Sequence, residues 1–139
     1  MKFEITIGND IGELERVNAL LEEAAVNWAI GREWLFKLSL AVEETVSNII
    51  LYGFDKMYDK PFIHIEIIHE GNQVRIVITD NGKAFNPLSI PPPDDLDKPA
   101  KERNIGGLGV YFIRNMMDEV AYLRDGDRNI LTLYKSITK

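Results

Sequence analysis

Cysteine is absent from this sequence, and so is any long apolar run. Without cysteine the chain forms no disulfide bonds and no thiolate metal sites, which is typical of proteins in a reducing compartment. No apolar stretch approaches the roughly 18 residues of a membrane-spanning helix. Residues 1–6 alternate between polar and apolar types and lack the basic start and apolar core of a signal peptide. We therefore expect a cytoplasmic protein with no membrane association.

An excess of positive charge is missing as well. The 22 acidic residues outnumber the 16 Lys and Arg residues, and the net charge is −6. Nucleic-acid partners are therefore not expected, because phosphate backbones bind basic surfaces. The composition is 45% hydrophobic and 27% charged, which is typical of globular proteins. A chain of 139 residues is long enough to bury a core, so we predict one domain over residues 1–139.

The spacing of apolar residues predicts the order β-α-α-β-β-loop-α-β-β. Alternation indicates strands at 2–7, 63–67, 73–79, 119–123 and 129–136, and helical spacing indicates helices at about 10–31, 33–52 and 108–117. Asp10 and Glu13 fit a capping box at the start of the first helix, and Gly31 fits a left-handed residue at its end. Residues 86–104 hold five of the six prolines and no periodicity, as lids and binding loops often do. This pattern predicts an α+β fold, a two-layer sandwich with helices on one face of a mostly antiparallel sheet.

The second predicted helix places Glu44 and Asn48 four residues apart, one above the other, and off its apolar stripe. An asparagine carbonyl can bind Mg²⁺, which prefers oxygen ligands and keeps several waters. The neighbouring carboxylate can deprotonate or orient an attacking hydroxyl or water. Glu43 is a competing base, although it lies about 140° around the helix from Asn48. The alternative is a solvated polar face, because this spacing is common on exposed helices.

A second motif follows the strand at 73–79. Asp80 can accept a hydrogen bond from the exocyclic amine of adenine, and Gly82, which has no Cβ, lets the backbone approach the base. Phe85 can pack under the loop or beside a nucleotide. The alternative is a plain turn, because Asn-Gly after a strand is a common turn signal. A simple hairpin is disfavoured, since the long loop rather than another strand follows Gly82.

A glycine collar precedes the third predicted helix and consists of Gly106, Gly107, Leu108 and Gly109. Free backbone N–H groups and the dipole of a helix start favour anions, and glycines let these groups approach phosphate oxygens. Lys101 and Arg103 lie just upstream and can add positive charge. The collar is neither a Walker A loop, since it lacks Gly-Lys-Ser/Thr, nor a dinucleotide fingerprint, since no strand precedes it. A flexible hinge into the helix is the alternative.

Together the three motifs resemble those of the GHKL (histidine-kinase-like) ATPase superfamily, whose ATP-binding domain has the Bergerat/GHKL fold. The Glu-x-x-x-Asn helix resembles its N box, the Asp-x-Gly turn its G1 box and the glycine collar its G2 box. Residues 40–50 and 105–120 are more similar still to bacterial anti-sigma factor serine/threonine kinases. The resemblance covers essentially the whole chain. It departs at Tyr52-Gly53, where many relatives have His-Gly.

By that resemblance, Glu44 is the general base, Asn48 the magnesium ligand, and Asp80 and Gly82 the adenine contacts. The glycine collar holds the phosphates under a lid formed by residues 86–104. The resemblance implies that the chain binds ATP·Mg²⁺ and phosphorylates a serine or threonine on a STAS-domain anti-sigma antagonist. It also implies a sigma factor as a second partner and a homodimer, both of which are common among relatives.

Two other functions stay open. A nucleotide-gated module that sequesters its partner with little or no catalysis would use the long loop as a lid that orders around ATP. An α/β domain that binds no nucleotide would use none of the three motifs. The Glu44–Asn48 pair favours the kinase, because it supplies a base and a metal ligand in a chain without a separate phosphoacceptor helix.

Overall fold

The computed structural model of the chain describes residues 2–55, 60–89 and 113–137. The strands and long helices of this part are β1 (Lys2–Ile7), α1 (Leu14–Asn27), α2 (Arg32–Tyr52), β2 (Ile63–Glu70), β3 (Gln73–Asp80), β4 (Glu119–Asp125) and β5 (Arg128–Ser136). Short 3-10 turns occupy Ile11–Glu13 and Pro87–Ser89, and residues 113–116 are helical. None of the helices in the described ranges is long and apolar enough to cross a membrane.

The five strands form one sheet in the order β1-β2-β3-β5-β4, and every neighbouring pair is antiparallel. Ile65 of β2 lies opposite Ile5 of β1 and Ile78 of β3, and Ile78 in turn lies opposite Leu131 of β5. Because side chains of a strand alternate between faces, this register sends rows of apolar side chains to the same side of the sheet. The prediction of an α+β fold with a mostly antiparallel sheet is confirmed.

Helices α1 and α2 pack on that apolar side and complete the core. Val17 and Leu21 of α1, Leu38 and Val42 of α2, and Ile76 of β3 are each at most 2% exposed. Burying a side chain of this size contributes about 1.5–3 kcal/mol. The helices and the sheet therefore hold one another in place, and the prediction of helices on one face is confirmed.

The connection between α1 and α2 differs from the prediction. The first helix ends at Asn27, and Ala29 rather than Gly31 takes the left-handed conformation, with φ of 54°. Gly31 has an extended backbone (φ −67°, ψ 159°) and caps the start of α2. The predicted capping box is also wrong, because the Asp10 carboxylate accepts from Gly12 N, 3.0 Å away, and caps a 3-10 turn. Short local hydrogen bonds of this kind compete with the first turn of a helix.

Both hairpins are closed by tight turns. The β2–β3 turn contains Gly71 (φ 59°), and the β4–β5 turn contains Gly126 (φ 61°). Positive φ favours glycine at these positions because it has no Cβ. The last two strands are longer than predicted, since pairing reaches Asp125 and resumes at Arg128. The predicted helix at 108–117 and the predicted loop at 86–104 lie partly outside the described residues.

Candidate functional site

A cavity of about 580 Å³ lies between α2, the end of β3 and the start of β5. Apolar side chains make up most of its lining and a few polar groups interrupt them, which is typical of sites for small organic ligands. The lining includes Thr45, Asn48, Ile49 and Tyr52 from α2, Asp80, Lys83, Ala84, Phe85 and Pro87 from β3 and the segment after it, and Asn129 and Leu131 from β5. The cavity therefore joins two of the three sequence motifs.

The structure brings Asn48, Asp80 and Phe85 together in this cavity. Gly82 lies directly beside it, hydrogen-bonded to Asp80. Glu44 is half-buried on α2, one turn before Asn48, and is not one of the described residues that line the cavity. The remaining predicted residues lie outside the described part of the chain, and their roles stay predictions: Lys101, Arg103, Gly106, Gly107, Leu108 and Gly109.

Asp80 is the last residue of β3 and is only 4% exposed. Its Oδ1 accepts hydrogen bonds from Gly82 N at 2.8 Å and from Asn129 Nδ2 at 3.0 Å. Burial raises the pKa of this carboxyl group, while the hydrogen bonds from Asn129 and Gly82 and the charge of Arg124 oppose the rise. Both hydrogen bonds from described residues end on Oδ1, so Oδ2 can accept one from a ligand. An amine of a ligand is one such donor.

Gly82 is required for a reason that the sequence did not indicate. A Cβ at this position would lie 2.5 Å from the Gly53 carbonyl oxygen and 3.0 Å from Asp80 Oδ1. Lys83 N donates to the same Gly53 oxygen at 2.9 Å, and the Arg124 guanidinium donates to the Gly82 oxygen at 2.9 Å. The bond from Lys83 holds the segment after β3 against the end of α2, and the bond from Arg124 ties the segment to β4. The predicted contact between Gly82 and adenine stays a prediction.

Asn129 is a site residue that sequence reasoning missed. It is 6% exposed. Its Nδ2 donates to Asp80 Oδ1 at 3.0 Å and to the Lys83 carbonyl oxygen at 2.7 Å, and its Oδ1 accepts from Phe85 N at 3.2 Å and from the Tyr122 hydroxyl. One signal could have found it, because this amide occupies an inward position of β5 where the alternation calls for an apolar residue.

The α2 wall of the cavity has a different chemistry. Asn48 is half-buried there and offers an amide oxygen, a ligand type that Mg²⁺ accepts. One such protein ligand fits a Mg²⁺ that keeps several waters and takes further oxygens from phosphates. The Thr45 hydroxyl, which also lines this wall, donates to the Ala41 carbonyl oxygen at 2.8 Å. The cavity thus combines a wall suited to an amine with a wall suited to a hydrated metal.

The chain matches the family model of the histidine kinase-like ATPase domain over residues 7–135. An anti-sigma F factor of Anoxybacillus flavithermus is 32% identical over 107 residues, 76% of this chain and 71% of that protein. The serine/threonine-protein kinase BtrW of Bordetella bronchiseptica is 30% identical over 70% of this chain and 68% of its own length. The serine-protein kinase RsbW of Bacillus cereus is 29% identical over 68% of this chain and 59% of its own length.

Solved structures of similar fold include the RsbU and RsbW domains of a Mycobacterium tuberculosis protein. The TM-score is 0.73 at 16% identity, and the match covers 100% of this chain and 33% of that one. The blue-light activated histidine kinase of Erythrobacter litoralis matches with a TM-score of 0.57 at 20% identity, over 78% of this chain and 32% of its own. At these identities the likeness is one of fold.

Proposed function

The chain belongs to the histidine kinase-like ATPase domain family, and we propose that it binds ATP·Mg²⁺ and transfers the γ-phosphoryl group to a serine or threonine of a partner protein. The observation that carries this proposal is that Asn48 of α2 and Asp80 of β3, far apart in sequence, line one cavity. The amide oxygen suits the Mg²⁺ bound to the phosphates of ATP, and the carboxylate suits the exocyclic amine of adenine at the other end of the nucleotide. The names of similar proteins, an anti-sigma factor and serine kinases, support the transfer reaction.

The β3 wall would bind the base. Asp80 Oδ2 accepts a hydrogen bond from the adenine amine while Oδ1 keeps its two donors from the protein. Ile49, Phe85 and Leu131 supply apolar surface for the ring. Phe85 is 48% exposed, so a stacked base would cover aromatic surface that water now contacts. Adenine would thus bury apolar area and satisfy the second carboxylate oxygen together.

The α2 wall would serve the phosphates. Asn48 would hold Mg²⁺, which neutralises charge on the phosphates when bound. The hydroxyl oxygen of the partner's serine or threonine attacks the γ-phosphorus, its proton passes to Glu44 as general base, and the bond to the β–γ bridging oxygen breaks to release ADP. The glycine collar at 106–109, outside the described residues, would bind the phosphates through backbone N–H groups.

The partner that we propose is a STAS-domain anti-sigma antagonist, with a sigma factor as the protein that the chain sequesters. The motif resemblance and the names of the anti-sigma F factor and RsbW relatives support this choice. We further propose a cytoplasmic homodimer in which residues 1–139 form one ATP-binding domain. The lack of cysteine suits a reducing compartment.

A comparison of two adjacent glutamates of α2 tests the kinase. Glu44→Ala should bind ATP as the wild type does, as measured by calorimetry. Its rate of labelled phosphate transfer from ATP to a STAS-domain partner should fall by about a hundredfold or more, because only the general base is removed. Glu43→Ala is the matched control, since Glu43 is exposed at the neighbouring helix position, and it should keep both activities. Unimpaired transfer by Glu44→Ala would remove Glu44 from the reaction.

A nucleotide-gated binding module is the second candidate function, and one observation favours it. The described lining of the cavity includes Asn48 and Asp80 but not Glu44, so a nucleotide could be held without a general base beside its phosphates. Such a module would capture its partner when ATP is bound, with little or no transfer. A pull-down with and without ATP separates the two functions, because nucleotide-dependent capture without phosphate transfer favours the module. If ATP·Mg²⁺ gave no heat in calorimetry and no thermal shift, both functions would be refuted.

A further inference from the structure

We propose that Asn129 determines the base specificity of the cavity by fixing Asp80 as an acceptor for the 6-amino group of a purine. Asn129 is the second residue of β5, lines the same cavity as Asp80 and is 6% exposed. It can play this part only if a nucleotide binds in the cavity, as proposed above. Asn129 would then be a positioning residue, since it acts on the base through Asp80.

The amide of Asn129 decides which carboxylate oxygen of Asp80 is available to a ligand. Asn129 Nδ2 donates to Oδ1 at 3.0 Å, where Gly82 N donates as well at 2.8 Å. Two donors on the same oxygen hold the carboxylate against rotation and direct ligand binding to Oδ2. Gly82 comes from the same turn as Asp80, so Asn129 is the donor that ties this carboxylate to another strand.

The orientation of the Asn129 amide is fixed in turn by its other neighbours. Nδ2 has a second acceptor in the Lys83 carbonyl oxygen at 2.7 Å. Oδ1 accepts from Phe85 N at 3.2 Å and from the Tyr122 hydroxyl. A flipped amide would set an N–H group against Phe85 N and an oxygen against the carboxylate of Asp80, so the network favours one orientation. Asn129 therefore presents its donor, not its acceptor, to Asp80.

A carboxylate held in this way distinguishes a 6-amino purine from a 6-oxo purine. The amine of ATP can donate to Asp80 Oδ2, whereas O6 of inosine triphosphate would face Oδ2 as a second acceptor. A site that leaves buried polar groups unpaired with one ligand discriminates strongly against that ligand. Only a protonated Asp80 could donate to O6. Burial raises the pKa of Asp80 and the hydrogen bond from Asn129 opposes that rise, so Asn129 also favours the accepting form.

The ratio of the affinities for ATP and inosine triphosphate, measured by calorimetry on the full chain with Mg²⁺, tests this role. The wild type should bind ATP at least about tenfold more tightly. Asn129→Ala should lower that ratio by about tenfold, because Asp80 can then rotate and take up a proton. Tyr122→Phe is the matched control. It removes one hydrogen bond to Asn129 Oδ1, but Phe85 N still donates to this oxygen and Nδ2 keeps both hydrogen bonds that it donates. The amide therefore stays oriented, and the variant should lower thermal stability and keep the ratio.

Asn129→Asp is a second variant, of nearly the same shape, in which the donor to Asp80 is replaced by an acceptor. Its ratio of ATP to inosine triphosphate affinity should also fall, because two adjacent buried carboxylates share a proton and a protonated Asp80 can donate to O6. A structural role alone would weaken the binding of both nucleotides together and leave the ratio at the wild-type value, which would overturn the proposal. A wild-type chain that binds neither nucleotide would instead refute the proposed function. The two failures are therefore distinguishable.

Discussion

Replacing Asp80 with asparagine separates the role of this residue in binding from its role in folding. Asparagine has nearly the same shape, so its Oδ1 can keep the hydrogen bonds that Gly82 N and Asn129 Nδ2 now donate to Asp80. Its Nδ2 takes the place of the carboxylate Oδ2 and presents N–H groups where the adenine amine also donates. A hydrogen bond to a charged group contributes about 1.5–3 kcal/mol, so Asp80→Asn should weaken ATP binding by about 10- to 150-fold.

The stability of Asp80→Asn should not fall with its affinity. Burial raises the pKa of Asp80 in the folded chain, so the folded state binds this proton more tightly than the unfolded state does. The stabilising contribution of Asp80 is therefore fully present below its unfolded pKa of about 3.9 and is lost as the pH rises through the folded pKa. At neutral pH the wild type carries the cost of a buried charge that the amide avoids. We expect the variant to be at least as stable as the wild type.

Calorimetry with ATP·Mg²⁺ and thermal unfolding on the same preparations measure both effects. Asp127→Asn is the control, because Asp127 is exposed in the β4–β5 turn and its replacement removes the same charge. Surface replacements change free energies by about 0.5 kcal/mol or less, so its ATP affinity should stay within about two- to threefold of the wild type. Asp80→Asn that binds ATP like the wild type but unfolds at a lower temperature would refute the assignment of Asp80 to the base.

Two further predictions concern packing and charge. Gly82→Ala places a methyl group 2.5 Å from the Gly53 carbonyl oxygen and should lower the free energy of unfolding in urea by about 1–3 kcal/mol. Gly8→Ala is its control, with nothing within 4 Å of the added Cβ, and equal stabilities of the two variants would contradict the contact. Asp118→Asn weakens the bond that Asp118 accepts from Ser136 N at 2.6 Å, a bond that lowers the pKa of Asp118. A lowered pKa stabilises the folded state above about pH 4, and this stabilisation is lost as the pH falls through the pKa of Asp118 in the folded state. The difference in stability between the wild type and Asp118→Asn should therefore shrink in acid. A difference that stays constant from neutral to strongly acid pH would count against this bond.

The strands could be predicted because their apolar residues alternate. Residues 63–67 and 73–79 carry isoleucine or valine at every second position, and burial of that face fixes their pairing. The second helix was predicted within one residue of α2, but the end of the first helix could not be predicted, because hydrogen bonds that form only in the folded chain decide it. Ile30 N donates to the Ala25 carbonyl oxygen at 2.9 Å across a left-handed Ala29, a turn that glycine usually makes.

The site could be predicted in part. Asn48 and Asp80 could be joined because a family resemblance links motifs that are distant in the sequence, whereas each motif alone had a common alternative. Asn129 could have been noticed as a polar residue at an inward strand position, but its role could not be assigned. Its partners come from the end of β3 and the segment after it, which meet β5 only when the sheet has formed. Gly82 was expected to accommodate a ligand, and the structure adds the Gly53 carbonyl oxygen as a reason for glycine at that position.

Binding of ATP·Mg²⁺ in the cavity between α2, β3 and β5 is tested most directly by the backbone amide NMR shifts of the full chain. On addition of ATP·Mg²⁺, the largest shift changes should fall at Asn48, in the turn after Asp80 and at Asn129, which surround the cavity. The β2–β3 turn at Gly71, at the opposite end of β3, should change little. Changes confined to that turn, or no changes at saturating nucleotide, would contradict ATP binding in this cavity.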